Sequence, residues 1–369
     1  MFFVNKRFLC YFDWAAFGLL LLLSCISLSF VFSATYKLTA TTYSIFFKKQ
    51  LVGILTGICI YFFCSFVDYR TLCRVGYWLY IFTMFLLIFT LFKGSVGMGA
   101  QRWINLGFIK FQPSELAKIF FPMFITYYFL HDTQNSHPTA STYIIPILVL
   151  GSSFILVLKQ PDLGTALILL FSGSCMFWFI GLSTRFFLIV AACLLITAPI
   201  SWQFLKPYQK KRILVFLGQG NKNKERYQIE QSKIAVGSGG IWGKGYLQGT
   251  QNKLSFLPES RTDFIFSVIC EETGLLGAIM ILLLYLMLFV RILWLINTIT
   301  GFYPHLMCLG LLMPIILSTI INVCMILDLL PIVGIPLPFM SYGITHIWTG
   351  FASLGCINSI TCQRYFQEL

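Results

Sequence analysis

Long apolar runs recur along the whole of this 369-residue chain. A run of about 20 apolar residues can cross about 30 Å of hydrocarbon as a helix. We predict ten spans, at about 14–33, 51–67, 76–92, 114–130, 142–158, 165–182, 186–204, 264–290, 303–327 and 342–360. Composition agrees, because 58% of the residues are hydrophobic and only 11% are charged, against about 25% charged in soluble proteins. The chain is therefore predicted to be an all-α polytopic membrane protein, with residues 1–369 in a single domain.

One long loop, at about 204–262, interrupts the spans. It carries eleven Lys or Arg against three Glu, a net charge of +8, which suits phosphate groups or anionic lipid. Its segment 231–249 is rich in glycine, and glycine backbone can approach an anion closely. The spacing fits neither a P-loop nor a dinucleotide fingerprint. We therefore expect neither nucleotide binding nor a nucleic-acid partner.

The loop also contains a basic and then apolar stretch, residues 208–217, that predicts a short amphipathic helix at the lipid interface. Charge bias does not settle the orientation of the chain, because the short loops on the two sides hold equal numbers of Lys and Arg. The four histidines lack metal-ligand spacing, so no protein-built metal site is predicted.

Ionisable residues at the membrane boundary form further clusters, and such residues at depth tend to be functional. Glu115 and Lys118 lie three apart, on one helical face, as a structural ion pair or as groups facing a substrate. Arg102, beside Trp103, is either an interfacial anchor or part of a site. Asp162 follows a proline and precedes Gly-Thr, which is typical of a helix N-cap, although so short a polar loop can also line a cavity.

The segment 256–274 places charges at the mouth of a long apolar helix. In a generic sequence, Thr262 or Asp263 would be the N-cap of that helix. Glu271 and Glu272 lie two turns deeper, where carboxylates need partners or a wet cavity.

Taken together, these segments resemble the SEDS (RodA/FtsW) peptidoglycan glycosyltransferases, and the elongation branch in particular. The resemblance covers nearly the whole chain and rests on GAQRWINLG (99–107), FQPSELAK (111–118), KQPDLGTA (159–166), the loop segments 207–217 and 231–245, LPESRTDFIF (257–266) with EETG (271–274), and GIPLPFMSYG (334–343). One departure is clear: Ile344 and Thr345 follow Gly343, where the family usually has glycine and serine. Close packing at the start of the last span is therefore expected to differ.

The resemblance implies an enzyme of the bacterial cytoplasmic membrane, with both termini cytoplasmic and the long loop extracytoplasmic. It would polymerise lipid II at the outer face, within the elongation machinery and with a class B penicillin-binding protein. The family's catalytic aspartate falls on Asp263, which can accept the proton of an attacking sugar hydroxyl. A divalent cation such as Mg²⁺, or the loop cations, would stabilise the departing pyrophosphate.

The family motifs also suggest substrate-binding positions. Three support the central cavity: Arg102, Glu115 and Lys118. Two lie at its rim, Lys159 and Asp162. Four are candidate pyrophosphate contacts: Arg212, Lys233, Lys244 and Arg261.

Two alternatives remain open at this point. A flippase for lipid-linked precursors could use the same intramembrane charges along a translocation path, but it needs no base at Asp263. A scaffold that only recruits a partner synthase would make no polymer, even with that partner present.

Overall fold

The structure is a computed structural model that describes residues 11–36, 44–97, 100–105, 107, 110–132, 139–204, 207–216, 224–253, 256 and 259–367. Thirteen α-helices occur within this described part. They are α1 (Trp14–Thr35), α2 (Ile45–Phe66), α3 (Tyr69–Lys93), α4 (Pro113–Asp132), α5 (Ile144–Lys159), α6 (Leu163–Ile180), α7 (Thr184–Phe204), α8 (Pro207–Phe216), α9 (Lys224–Ser238), α10 (Thr250–Lys253), α11 (Ile265–Asn297), α12 (Phe302–Ile326) and α13 (Ile344–Gln367).

Each of the ten predicted spans coincides with one long helix, so the all-α polytopic prediction is confirmed. Seven are long and apolar enough to cross a membrane: α1, α2, α3, α5 with the 3₁₀ turn before it, α6, α11 and α12. Of the other three, α4 carries Glu115 and Lys118, α7 has a shorter apolar stretch at Thr184–Thr197, and α13 carries several polar side chains. The long loop contains α8, which matches the predicted amphipathic helix, together with α9 and α10.

A small antiparallel sheet lies between α3 and α4, and the sequence analysis did not predict it. Its strands are β1 (Ser95–Gly97), β2 (Ala100–Asn105) and β3 (Lys110–Phe111), in the order β1-β2-β3. Ser95 pairs with Trp103, and Ile104 pairs with Phe111. Two of the strands have only three and two residues, and the six residues of β2, Ala-Gln-Arg-Trp-Ile-Asn, do not alternate between apolar and polar. The sheet matters because β2 carries Arg102.

Small residues bring α2 and α13 into close contact. A Cβ on Gly57 would lie 3.0 Å from the Phe351 ring, and one on Gly355 would lie 2.5 Å from the backbone oxygen of Tyr61. Small residues allow membrane helices to approach closely, since packing replaces the hydrophobic effect between helices in lipid. Ile344, at the departure from the family motif, packs against Gly53 at the start of the same interface.

This packing predicts that Gly355→Ala destabilises the protein, because the new methyl group collides with backbone that cannot move aside. Overpacking of this kind costs about 1–3 kcal/mol. The matched control is Gly151→Ala, a glycine inside α5 whose Cβ would meet no atom within 4 Å. Alanine there should be neutral or stabilising by up to about 1 kcal/mol. Thermal unfolding of both purified variants checks this, and equal melting temperatures would contradict the packing account.

Candidate active site

The backbone around Asp263 is held by hydrogen bonds to three consecutive carbonyl groups. Tyr342 N donates to Arg261 O at 2.9 Å, Ser341 Oγ donates to Thr262 O at 2.6 Å, and Asn322 Nδ2 donates to Asp263 O at 2.9 Å. We call these three donors the carbonyl clamp. They come from α12 and from the segment before α13, so elements distant in sequence fix the position of Asp263.

The donors of the clamp are themselves anchored. Ser341 and Asn322 are both fully buried. Ser341 Oγ also accepts a bond from Leu337 N at 2.8 Å, and Asn322 Nδ2 also donates to Ile335 O at 2.7 Å. Each side chain therefore joins the segment of Asp263 to the segment 335–341, and neither has freedom to reorient.

The side chain of Asp263 is not used to cap α11, contrary to the expectation for a generic sequence. The N-cap of α11 is Phe264, without a side-chain hydrogen bond, and Thr262 Oγ1 donates to Glu259 Oε2 instead. Gly334 lies against the Asp263 carboxylate: a Cβ at that glycine would be 3.4 Å from Oδ2. Its backbone φ of +73° favours glycine at this place.

Charged groups surround the Asp263 carboxylate. Its removal from solvent raises its pKa to about 6, because burial disfavours the ionised form. The positive charges of Arg102 and Arg212 lower this pKa, whereas the negative charges of Glu259 and Asp162 raise it further. A carboxylate with a pKa of about 6 is ionised at neutral pH and is still basic enough to accept a proton.

Asp162 links the small sheet to the start of α6. Its Oδ1 lies 3.5 Å from Arg102 Nη1, and its Oδ2 accepts from Gln112 Nε2 at 2.7 Å and from Thr165 Oγ1 at 2.9 Å. Thr165 N donates to Oδ1 at 3.3 Å, so Asp162 is also the predicted N-cap of α6. The buried carboxylate therefore sets the direction of Arg102, whose positive charge lowers the pKa of Asp263.

Glu115 and Lys118 form the predicted ion pair inside α4, with Lys118 Nζ 2.7 Å from Glu115 Oε1. The second oxygen of Glu115 lies 3.0 Å from His346 Nδ1 and accepts from Thr349 Oγ1 at 3.2 Å. Both charges are buried. The pair ties α4 to α13 next to Ser114, whose hydroxyl lies near Asp162. His346 was not predicted as a site residue, because it has no charged neighbour along the chain.

The other predicted site residues lie in different settings. The Arg261 guanidinium stacks on the Phe46 ring at 3.9 Å. Lys159 is exposed at the end of α5. Lys233 Nζ pairs with Asp328 Oδ2 at 2.8 Å, and Lys244 Nζ pairs with Glu271 Oε1 at 2.7 Å.

Three predicted residues, Arg102, Arg212 and Asp162, thus lie near enough to Asp263 for their charges to shift its pKa, and two of them, Arg102 and Asp162, form an ion pair. The clamp residues Asn322 and Ser341 were not predicted. Ser341 lies in a family motif, but nothing in its local sequence indicates a bond to a residue 79 positions away.

The donor set around Asp263 does not suit a protein-bound divalent cation. Among the described residues, no group of three or more His, Cys, Asp or Glu side chains could hold a metal ion, and both oxygens of Asp162 already accept hydrogen bonds. The positive charges that the described residues bring near Asp263 are those of Arg102 and Arg212. Two arginines flanking a carboxylate can neutralise a phosphate while the carboxylate accepts a proton.

Known proteins are similar to this chain over most of its length. The family model for FtsW, RodA and SpoVE, described as cell cycle protein, matches residues 13–365. The chain is 37% identical to the peptidoglycan glycosyltransferase MrdB of Escherichia coli (strain K12) over 339 residues, which is 90% of each chain. It is 34% identical to MrdB of Helicobacter pylori over 373 residues, covering 98% of this chain and 93% of the relative.

Solved structures show the same fold. A chain from a study of the structural coordination of polymerization and crosslinking by a peptidoglycan synthase complex matches with a TM-score of 0.80 and 26% identity. The rod shape determining protein RodA of Thermus thermophilus matches with a TM-score of 0.71 and 25% identity. Each match covers 96% of this chain and 98% of the other. The chain therefore belongs to the FtsW, RodA and SpoVE family.

Proposed function

We propose that this protein is a peptidoglycan glycosyltransferase of the elongation type, which polymerises lipid II into glycan strands. The observation that carries the proposal is the Asp263 carboxylate, held by the carbonyl clamp and flanked by Arg102 and Arg212. The names of the MrdB relatives support the same activity.

In this mechanism Asp263 is the general base. It accepts the proton of the acceptor sugar's 4-hydroxyl while that oxygen attacks the anomeric carbon of the donor chain. The new oxygen–carbon bond forms as the bond from the anomeric carbon to the diphosphate breaks, with inversion. The electron pair leaves with undecaprenyl diphosphate, whose negative charge Arg102 and Arg212 offset.

The remaining predicted substrate-binding residues lie in different surroundings, which suggest different roles. Glu115 and Lys118 support the cavity from α4, and Asp162 positions Arg102. Arg261, Lys159, Lys233 and Lys244 stay candidates for outer contacts with the diphosphate, although the ion pairs of Lys233 and Lys244 must open first. We rank Lys233 and Lys244 below Arg102 and Arg212 for that reason.

We place the reaction at the outer face of the bacterial cytoplasmic membrane, with both termini cytoplasmic and the long loop outside. Ten long helices, α1 to α7 and α11 to α13, coincide with the ten predicted spans, and an even number of crossings would put both termini on one side. A class B penicillin-binding protein and the elongation machinery are the proposed partners. The similarity to a chain of a peptidoglycan synthase complex supports an assembly of this kind.

Asp263→Asn should abolish polymer synthesis from lipid II, because the amide cannot accept the proton. Loss of a general base typically costs 10²–10⁴-fold. The assay uses purified protein with its cognate class B penicillin-binding protein, whose own chemistry is blocked. Asp68→Asn is the matched control: Asp68 caps α3 at the opposite end of the helices from Asp263, and asparagine caps equally well.

Unfolding does not explain the expected loss. The folded-state pKa of Asp263 is raised, so its ionised form opposes folding at neutral pH. The Asn variant should therefore melt at or above the wild-type temperature. Equal polymer from both proteins would remove Asp263 from the chemistry, and no polymer from wild type would favour a flippase or a scaffold.

The polymerisation rate should also depend on pH through Asp263. As the pH falls through about 6, the carboxylate is protonated and kcat/KM should fall, about tenfold per unit below that point. Arg102 lowers this pKa, so Arg102→Gln should move the acid limb to higher pH. Initial rates between about pH 5 and 8 test this, and a limb that stays in place in Arg102→Gln would contradict the assignment.

The carbonyl clamp predicts a further kinetic effect. Ser341→Ala removes the donor to Thr262 O, and a lost buried hydrogen bond costs about 1–3 kcal/mol, so we expect kcat to fall about tenfold or more. KM for lipid II should change little, and Ser341→Thr should restore kcat because it keeps the hydroxyl. An activity loss that merely follows the loss of folded protein would contradict this role.

A further inference from the structure

The glycine turn, residues 239–249, is bonded along α11. Four backbone hydrogen bonds of 2.9–3.3 Å join the two: Lys244 N to Glu271 O, Gly245 N to Glu272 O, Leu275 N to Gly240 O and Leu276 N to Ile241 O. Glycine is required for this approach, because a Cβ on Gly239 would collide with Cys270 O and one on Gly243 with Glu272 O. The glycines thus allow the turn to contact a helix, whereas the sequence suggested that they would allow the backbone to approach an anion.

The buried carboxylates of α11 fix the turn further. Glu271 Oε1 accepts from Lys244 Nζ at 2.7 Å and from Thr250 N at 2.8 Å, so one carboxylate binds a residue within the turn and the residue directly after it. Glu271 thereby has the partners that a buried carboxylate needs. The height of the turn along α11 is therefore set.

Two polar contacts, one near each end of α1, relate the height of the turn to the thickness of the membrane. Asp13 Oδ1 meets Arg291 Nη2 at 2.9 Å at one end, and Ser33 hydrogen-bonds to Glu272 at the other. Asp13 and Ser33 are twenty residues apart, or about 30 Å along α1. The other helix, α11, is kinked at Gly274, where the backbone is not helical (φ +67°, ψ −163°), so the separation is measured along α1 alone. This spacing equals the hydrocarbon thickness of a bilayer, about 30 Å. Glu272 therefore marks the membrane boundary on the side of Asp263.

Large side chains of the glycine turn are exposed at this boundary. Trp242 is 81% exposed and Ile241 59%. Tyr246 is 48% exposed, and its hydroxyl donates to Ser29 O, one turn deeper in α1 than Ser33. Leu275, beside the turn on α11, is 54% exposed and continues the apolar surface.

We propose that the glycine turn is a membrane anchor, in which Ile241, Trp242 and Tyr246 enter the lipid interface on the side of Asp263. Trp and Tyr are the residues enriched at that depth, since their rings are apolar and their polar tips remain wet. The anchor fixes the height of the loop above the lipid surface. This contact is independent of the proposed chemistry.

Lipid is the occupant that the geometry favours. The exposed side chains lie at the boundary marked by Glu272 and continue into the exposed apolar side chains of α11, including Leu276, Ile279 and Met280. A surface that passes without a break from a membrane-spanning helix to the turn faces the same medium.

Photo-crosslinking in bilayers tests the anchor. A p-benzoylphenylalanine replaces Trp242, and the full-length protein is placed in vesicles of phosphatidylcholine and phosphatidylglycerol. The matched control replaces Tyr227, an exposed aromatic residue of α9 twelve positions before Gly239, hence about 18 Å from the turn. Trp14, exposed at the opposite boundary, is the positive control. Adducts are identified by mass spectrometry.

We expect several-fold more lipid adduct at position 242 than at 227. Equal or lower yields at 242, while position 14 captures lipid, would overturn the anchor. Adducts at 242 with a second protein in cells, and none with lipid in vesicles, would also overturn it and identify a protein occupant.

A second measurement keeps the native fold. The emission of Trp242 itself is the difference in tryptophan emission between wild type and Trp242→Phe in the same vesicles. Lipids brominated near the headgroup should quench this difference strongly, and a difference that they leave unquenched would overturn the anchor.

Discussion

The arrangement of this protein depends on three hydrogen bonds to consecutive carbonyl groups, from Arg261 to Asp263. They join the start of α11 to α12 and to the segment before α13, so the backbone of Asp263 cannot move without these elements. Because Asn322 and Ser341 are fully buried, a change at either breaks a bond that no water replaces. The packing of these helices therefore fixes, through the clamp, the position of the Asp263 side chain.

The buried position of Asp263 disfavours its ionised form, and the raised pKa that results suits the general base we propose. Burial raises the pKa of Asp263 to about 6, while Arg102 and Arg212 keep the carboxylate ionised at neutral pH. Arg102 is in turn directed by Asp162, the N-cap of α6. The same charges that tune the base face the place where we propose that a diphosphate departs, so one cluster serves proton transfer and leaving-group stabilisation.

Much of the fold could be predicted from the sequence, because hydropathy over about 20 residues reports a membrane helix directly. The ion pair of Glu115 and Lys118 was predictable from its i, i+3 spacing. The sheet carrying Arg102 was not, since the six residues of β2 do not alternate between apolar and polar. Ser341 was not predictable as a clamp residue, because its bond spans 79 positions and uses backbone. Lys244 suggested an anion, yet its partner Glu271 lies on α11.

The most direct test of the central claim is a structure of the protein with two lipid II analogues bound as donor and acceptor. The account predicts an Asp263 carboxylate oxygen about 3 Å from the acceptor's 4-hydroxyl, within hydrogen-bond reach, with the donor diphosphate between Arg102 and Arg212. An acceptor hydroxyl bound beyond hydrogen-bond reach of Asp263, or facing another base, would contradict it.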